Sequence, residues 1–361
     1  MFLTASNLAH YLMEYGLVQP STIVDGDFSI LESGRRNRNF KVFTGTKGGL
    51  FVKQPKSMEQ QATSTVTREV AFSSRIQSEP AYQMLSAMVP KLLHYDPLRY
   101  AQVCELISGA QSAGEFLNSN REATSLVAQS LGNALSKIHH HGKNAATDPH
   151  LSTMLPGQVP WVMMLDVSQT GFLNSAGPLG PQLSLWLQQA PMFVAALTSL
   201  RSEWRNDALV HGDMKWDNFL VRINGDLCEV FIVDWELVDL GDAAWDIASI
   251  FKEYVLIALF HEIGTQQKGT PLNPDWLASV RSQARIFWKS YATESNFSSV
   301  QEREFADRSV RFVGPRLVIS VLEYLSAAPG DAAMMQPMLE TAWQFLSQHR
   351  AMSTSLLGYP L

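Results

Sequence analysis

Residues 210–221 read Val-His-Gly-Asp-Met-Lys-Trp-Asp-Asn-Phe-Leu-Val, and a second apolar run farther on ends in Ile232-Val233-Asp234. Asp213 is followed five residues later by Asn218, and Asp234 emerges from the second run. Apolar residues flank both segments, which favours strands on either side of the polar groups. The tripeptide Asn224-Gly225-Asp226 predicts a hairpin turn between the two strands. This pair of segments decides the fold that we expect.

The order of these polar residues suits phosphoryl transfer. In that chemistry an Asp accepts or orients the proton of the substrate hydroxyl, an Asn on the same loop binds magnesium, and a second Asp binds metal against the nucleotide phosphates. Asp213 is then the catalytic residue, and Asn218 and Asp234 are metal ligands with the oxygen donors that Mg²⁺ prefers. We expect His211 to brace the loop. The alternative is a surface hairpin, since Asp, Asn and Gly are common turn residues, but the agreement of motif and context favours catalysis.

A larger set of residues carries a family resemblance. The chain resembles the aminoglycoside phosphotransferase and choline kinase-like family in His211-Gly-Asp213, Asn218, Val233-Asp234-Trp235-Glu236 and Gly241-Asp242-Ala-Ala-Trp245-Asp246. The resemblance implies an α+β, bilobal protein kinase-like fold with a small β-rich N-lobe and a larger helical C-lobe. It also implies ATP and Mg²⁺ as cofactors, and an Asp at position 246 that braces the catalytic loop.

Hydrophobic periodicity divides the chain into two parts. After a short predicted helix at about Ser6–Tyr15, β-like runs prevail, namely Phe28–Leu31, Phe40–Phe43, Gly49–Lys53, Val89–Pro97 and Ala101–Ile107. Beyond them apolar residues recur at helical spacing, as in Val127–Ile138. We therefore expect an N-terminal nucleotide-binding lobe over residues 1–107 and a C-terminal helical catalytic and substrate lobe over residues 108–361.

The polar stretch Ser33–Asn39 separates the first two predicted strands. A loop with guanidinium and backbone N–H groups suits contact with nucleotide phosphates, so we expect Arg35 and Asn39 to contact ATP. The alternative is a solvated hairpin tip. Gly34 is the only glycine of the stretch, which departs from the glycine-dense loop of protein kinases.

The resemblance implies further nucleotide contacts. Lys53 ends an apolar run and is the candidate for the strand lysine that contacts the α- and β-phosphates, with Glu69 on the next helix as its partner. Backbone groups from Glu105 to Ile107 would meet the adenine edge at a hinge. Lys and Glu are also common on exposed surfaces, which is the alternative for the first pair.

The C-terminal part of the sequence predicts helices with one apolar face. Gly314-Pro315 predicts the start of one of them, because proline is favoured in the first helical turn. Charged residues and a His interrupt the apolar run Ile247–Ile263, so we expect a core helix there and not a membrane span of about twenty apolar residues. For acidic residues such as Glu236 we expect solvated surface, with a cationic acceptor as the alternative.

Composition excludes some classes of protein. The 361 residues carry a net charge of −6 and no long basic run, which argues against a nucleic-acid partner. Cys104 and Cys228 do not form a metal-ligand pair by spacing and fit a reducing cytoplasm. No N-terminal signal is visible. We therefore expect a cytoplasmic protein with neither a membrane nor a nucleic acid as its partner.

The combined expectation is an ATP- and Mg²⁺-dependent phosphotransferase that moves the γ-phosphoryl group to a hydroxyl of a small molecule or to a Ser or Thr of a peptide. The resemblance admits antibiotics, choline, sugars and peptides as acceptors, and also a partner protein in peptide modification. The alternative is a pseudokinase or nucleotide-binding partner module in a peptide-modification complex, without phosphoryl transfer. The sparse glycine content of the Ser33–Asn39 stretch permits that alternative.

Overall fold

The computed structural model of the chain contains both strands and helices. It describes residues 2–34, 37–45, 48–119, 124–165, 173, 180–327 and 334–358. The strands are β1 (Phe28–Ser33), β2 (Asn37–Thr44), β3 (Gly49–Pro55), β4 (Leu92–Asp96), β5 (Ala101–Glu105), β6 (Gln111–Ser112), β7 (Ala208–Val210), β8 (Phe219–Asn224), β9 (Leu227–Ile232) and β10 (Asp239–Gly241). The helices are α1 (Ala5–Glu14), α2 (Pro20–Val24), α3 (Gln60–Ser78), α4 (Gln83–Ser86), α5 (Ala113–Ser119), α6 (Thr124–His141), α7 (Pro149–Met154), α8 (Gly180–Gln189), α9 (Pro191–Ser199), α10 (Ala243–Lys268), α11 (Pro274–Glu294), α12 (Ser299–Ala327), α13 (Met335–Ser347) and α14 (His349–Leu357).

The chain forms two compact units. The first unit comprises Met1–Ser119, Thr147–Met154 and Asp217–Val238. The second unit comprises Asn120–Ala146, Leu155–Trp216 and Asp239–Leu361. A small antiparallel sheet in the first unit and a mostly helical second unit confirm the predicted α+β, protein kinase-like fold class. The boundary between residues 107 and 108 stays a prediction.

A five-stranded sheet in the order β1-β2-β3-β5-β4 carries three of the residues predicted to contact the nucleotide, namely Asn39, Lys53 and Glu105. Strands β2 and β3 pair antiparallel with Phe40 opposite Val52 and Asn39 opposite Lys53. Alternation along the strands buries Phe40, Val52 and Val103 on the face that packs against Leu8 of α1. Because successive side chains point to opposite faces, Lys53 lies on the face away from this cluster.

The hairpin that was predicted around Asn224-Gly225-Asp226 is confirmed in the first unit. Strands β8 and β9 pair antiparallel, and Asn224 lies opposite Leu227 across a two-residue turn. Gly225 adopts a φ of 61°, which such turns require of at least one residue. The hairpin places Asn218 directly before one strand and Asp234 shortly after the other.

The second unit is built from long helices. Helices α6 and α11 pack closely, since a Cβ on Gly132 would lie 2.4 Å from the carbonyl oxygen of Phe287. The predicted core helix Ile247–Ile263 lies within α10, whose first three turns are buried. Among the described residues no helix is long and apolar enough to cross a membrane.

The predicted helix start at Gly314-Pro315 is wrong. Helix α12 runs from Ser299 to Ala327, and Pro315 lies in its interior. A proline inside a helix removes one backbone hydrogen bond, but burial of the surrounding turns offsets that loss, since Phe312, Leu317 and Val318 are fully buried. Gly314 serves packing: a Cβ there would lie 2.8 Å from the Leu346 side chain of α13.

The polar loop between the first two strands is shorter than predicted. Strand β1 extends to Ser33 and β2 begins at Asn37, because Asn39 pairs with Ser33 on one side and with Lys53 on the other. Asn39 is therefore a strand residue. Arg35 lies outside the described residues.

Candidate active site

Lys53 is the centre of an ionic cluster in the first unit. Its Nζ lies 2.8 Å from Oε2 of Glu69 and 3.0 Å from Oε2 of Glu236, and it also donates a hydrogen bond to Asp234. Burial by itself would lower the pKa of Lys53, but the charges of the three carboxylates outweigh it and raise the pKa above its ordinary value. The ammonium therefore stays charged in a buried position, where a lone lysine would lose its proton.

Glu236 corrects one expectation from the sequence. It is not solvated surface: only 7% of the residue is exposed, and it accepts a hydrogen bond of 3.0 Å from Nδ2 of Asn37 besides the ion pair with Lys53. A short 3₁₀-helix over Trp235–Leu237 turns the side chain inward. The cluster thus has three carboxylates for one ammonium, and a bound cation would relieve their mutual repulsion.

Asp234 occupies an unusual backbone conformation. Its φ of 68° and ψ of 51° lie in the left-handed region, which residues other than Gly rarely adopt and which Asp tolerates better than most. The next N–H, of Trp235, donates to Oε1 of Glu69 at 3.1 Å. Glu69 therefore holds both Lys53 and the turn that carries Asp234. Backbone strain of this kind concentrates at functional sites.

Asn218 is the second predicted metal ligand. It is buried, and its carbonyl oxygen accepts a hydrogen bond of 3.0 Å from the N–H of Val233. That bond brings the backbone before β8 beside the residue that precedes Asp234. One amide oxygen and one carboxylate suit Mg²⁺, which takes one or two protein carboxylates and completes its shell with phosphates and water. Within the described chain no cluster of three or more His, Cys, Asp or Glu is arranged to hold a metal without such help.

The remaining residues predicted to contact the nucleotide lie on strands of the same sheet or directly after one. Asn39 stands opposite Lys53 on β2, and its Oδ1 is buried without a hydrogen-bond partner among the described residues. Glu105 ends β5 with an exposed side chain, and its N–H donates to Lys91 at 2.8 Å. Ile107 is buried and its carbonyl accepts a hydrogen bond of 3.4 Å from Ala110. Their roles toward adenine and phosphate stay predictions.

A buried carboxylate fixes the loop of residues 211–213 in the second unit. The N–H of His211 donates to Oδ2 of Asp246 at 2.7 Å, and the N–H of Gly212 donates to Oδ1 at 3.0 Å. Gly212 has a φ of 82°, a conformation that favours glycine. The N–H of Asp213 lies 3.3 Å from Nδ1 of His211. The predicted braces, Asp246 and His211, are confirmed by these bonds.

The brace reaches farther into the helical core. His139 of α6 approaches Oδ2 of Asp246 with Nε2 at 3.4 Å, and its Nδ1 lies 2.9 Å from the hydroxyl of Tyr291. Asp242 caps the start of α10 through the N–H of Ala244 and binds Arg308. Because these groups are buried and hydrogen-bonded, the first turn of α10 is a rigid support for the loop.

Two cations flank the carboxylate of Asp213. Nζ of Lys215 donates to Oδ2 at 2.6 Å, and Nη2 of Arg316 lies 3.5 Å from Oδ1. Burial tends to raise the pKa of Asp213, but the charges of Lys215 and Arg316 outweigh it and hold the pKa well below its usual range. Asp213 is therefore ionised at neutral pH.

Sequence reasoning missed Lys215, Arg316 and Glu236. Lys215 and Glu236 each stand two residues beyond a predicted functional Asp, and this proximity was the available signal. Arg316 interrupts the apolar run from Phe312 to Val318, and a charge in such a run indicates a buried partner. Nothing in the sequence identifies that partner as Asp213.

A small antiparallel sheet with a buried Lys–Glu pair, and a helical unit with a braced Asp loop, define a kinase-type phosphotransferase. The sequence profile of the Phosphotransferase enzyme family matches residues 27–276. The chain belongs to this family, which confirms the resemblance found in the sequence. A comparison with curated protein sequences finds none that matches.

Solved structures with the same fold cover nearly the whole chain. A choline/ethanolamine kinase family protein from Mesorhizobium loti is 18% identical, with a TM-score of 0.55 over 98% of both chains. A choline kinase from Cryptosporidium parvum Iowa II is 11% identical, with a TM-score of 0.59 over 98% of both chains. An amicoumacin kinase in complex with AMP-PNP, Ca²⁺ and Ami is 14% identical, with a TM-score of 0.55 over 94% of this chain and 93% of its own. At these identities the likeness shows the fold.

Proposed function

We propose that the protein transfers the γ-phosphoryl group of ATP to a hydroxyl group, with Asp213 as the catalytic residue. The observation that carries the proposal is the braced loop of the second unit, in which Asp246 fixes two consecutive N–H groups and two cations hold the Asp213 carboxylate. Phosphoryl transfer depends mainly on positioning and electrostatics. A loop held so firmly around one carboxylate serves that purpose.

The proposed reaction is a single displacement. The acceptor hydroxyl oxygen forms a bond to the γ-phosphorus while the bond from that phosphorus to the β,γ-bridging oxygen breaks. ADP leaves with the electron pair of the broken bond, and the hydroxyl proton passes to Asp213. Asp213 orients the hydroxyl by accepting its hydrogen bond before transfer.

In this proposal Lys53 and the oxygen donors of the first unit bind the donor nucleotide and its metal ion. Lys53 would contact the α- and β-phosphates, with Glu69 and Glu236 holding its ammonium in place. Asn218 and Asp234 would hold Mg²⁺, which neutralises charge on the phosphates as they react. Asn39 and the backbone from Glu105 to Ile107 complete the proposed nucleotide contacts.

The acceptor that we propose is a hydroxyl-bearing small molecule or a Ser or Thr of a peptide. Proteins of similar structure include a choline kinase and an amicoumacin kinase, and both are named for small molecules. This supports a small molecule ahead of a peptide.

The test is a radiolabel screen. Wild-type protein is incubated with [γ-³²P]ATP and Mg²⁺ against a panel of aminoglycosides, other antibiotics, choline, sugars, nucleosides and Ser/Thr peptides, and labelled products are identified. With the acceptor so found, Asp213→Asn is compared with Asp217→Asn, a matched control in the same loop whose side chain is exposed. We expect the first variant to lose about 10²-fold or more in kcat and the control to keep wild-type turnover.

Two results would overturn the proposal. Full turnover by Asp213→Asn would remove the catalytic role of this carboxylate. ATP binding by calorimetry without transfer to any member of the panel or to water would favour a pseudokinase that acts as a nucleotide-binding partner module.

A further inference from the structure

Arg316 is buried beside the proposed catalytic carboxylate. It lies in α12, its side chain is 3% exposed, and its guanidinium carbon stands 5.1 Å from the centre of the Trp245 ring. Nη1 lies 3.5 Å from the carbonyl oxygen of Gly212, and Nη2 lies 3.5 Å from Oδ1 of Asp213. One guanidinium therefore faces two consecutive residues of the braced loop.

This arrangement is incomplete as a purely structural ion pair. Nε and Nη2 of Arg316 are buried and form no hydrogen bond with any residue that the structure describes. Leaving such donors unsatisfied destabilises a protein, by about 1–3 kcal/mol for each group. Arg308, two helical turns earlier, shows the structural alternative: its Nε and Nη2 bind both oxygens of Asp242 at 2.6 and 3.2 Å. A guanidinium that is enclosed beside a carboxylate of the proposed reaction centre, with two of its donors unsatisfied, indicates a function beyond folding.

The second cation at Asp213 differs from Arg316 in its exposure. The Lys215 side chain is 36% exposed and binds Oδ2, whereas Arg316 is enclosed and faces Oδ1. Lysine has a long flexible stem, so it can leave Oδ2 when another group arrives, while the packed guanidinium stays in place. The two carboxylate oxygens thus have an exposed and an enclosed partner.

We propose that Arg316 is a positioning residue for phosphoryl transfer: it holds Oδ1 of Asp213, so that Oδ2 meets the acceptor hydroxyl when Lys215 moves aside. The inference rests on the proposed function and deepens it. Arg316 acts through Asp213 and the Gly212 carbonyl, and does not itself touch the acceptor.

The test compares equivalent changes at two arginines of α12. Arg316→Lys and Arg316→Met are measured beside Arg311→Lys, which alters the ion pairs of Arg311 with Glu203 and Asp307, outside the proposed reaction centre. ADP formation from ATP and Mg²⁺ is followed with the acceptor found in the screen, or with water as acceptor, together with KM for ATP and thermal unfolding. The lysine variants keep the charge, so they remain folded if the methionine variant does not.

We expect Arg316→Met to lower kcat by about 10²-fold, the loss that a misplacement of about 1 Å produces, with KM for ATP within about twofold of wild type. Arg316→Lys should recover part of that loss, since it restores the charge but not the planar fork. Arg311→Lys should lower the unfolding temperature and keep kcat. The inference is overturned if folded Arg316 variants keep kcat within about threefold of wild type, or if Arg311→Lys loses as much. A wild-type protein that turns over no ATP refutes the proposed function instead.

Discussion

Replacing Asp246 by Asn should lower both the stability of the second unit and the proposed activity. The Asp246 carboxylate is fully buried and accepts one N–H on each oxygen, from His211 at 2.7 Å and from Gly212 at 3.0 Å. An Asn side chain of the same shape offers one oxygen, and its NH₂ group would face the second N–H donor. The change therefore removes a charge-assisted hydrogen bond and leaves a buried donor without a partner.

The size of the effect follows from those two losses. A hydrogen bond to a charged group contributes about 1.5–3 kcal/mol, and an unsatisfied buried donor adds a penalty of about 1–3 kcal/mol, so we expect Asp246→Asn to destabilise the fold by about 2.5–6 kcal/mol. The loop should also lose its fixed position, which lowers kcat by about 10²-fold. Thermal unfolding reports the first effect and ADP formation at saturating ATP reports the second.

Asp239 offers a matched control. It too accepts two consecutive backbone N–H groups, those of Gly157 at 2.8 Å and Gln158 at 3.1 Å, and it also belongs to the second unit. The segment that it holds carries no proposed catalytic residue. Asp239→Asn should therefore lower the unfolding temperature and keep kcat. Equal losses of kcat in the two variants, or full activity in Asp246→Asn, would refute the view that Asp246 acts by bracing the loop.

Three further predictions test the first unit. Lys53→Met leaves the buried carboxylates of Glu69 and Glu236 without their shared ammonium and should lower the free energy of unfolding by about 3–5 kcal/mol in denaturant titrations. Burial tends to raise the pKa of Asp148, but hydrogen bonds from a neighbouring arginine, two backbone N–H groups and a tyrosine outweigh it and lower the pKa. The ionised Asp148 therefore stabilises the fold above its ordinary pKa of about 3.9, and this contribution is lost as pH falls. Asp148→Asn should reduce that loss of stability at acid pH in unfolding experiments. Burial raises the pKa of Cys104 to about 12, so its alkylation at pH 8 should be slow in the native protein and fast in denaturant.

The sequence was informative where function depends on neighbours along the chain. Turn chemistry and the flanking apolar runs predict the hairpin around Gly225. The spacing of Asp213, Asn218 and Asp234 identifies them as candidate site residues. Strand positions such as Lys53 follow from alternation. Each of these inferences needs only a short window of sequence.

What the sequence could not reveal depends on contacts between distant residues. Arg316 lies more than a hundred positions after Asp213 and reaches it only because α12 packs within the second unit, which is also why Pro315 is tolerated inside that helix. The sequence predicts that Glu236 is a solvated acid, but the 3₁₀-helix places its carboxylate beside the ammonium of Lys53. The predicted polar loop Ser33–Asn39 is too long, because pairing between β1 and β2 outweighs the turn propensity of Asn.

The charges around Asp213 bear on how it would work. A general base is most effective when its pKa lies near the working pH, and Lys215 and Arg316 drive the pKa of Asp213 away from that range in spite of its burial. A carboxylate so stabilised has little tendency to remove a proton early in a reaction. Phosphoryl transfer proceeds through a loose transition state in most analyses, with little need for an activated nucleophile. The same contacts that weaken Asp213 as a base fix its direction, so in the proposed reaction Asp213 would contribute by orienting the hydroxyl, with proton transfer following bond formation to phosphorus.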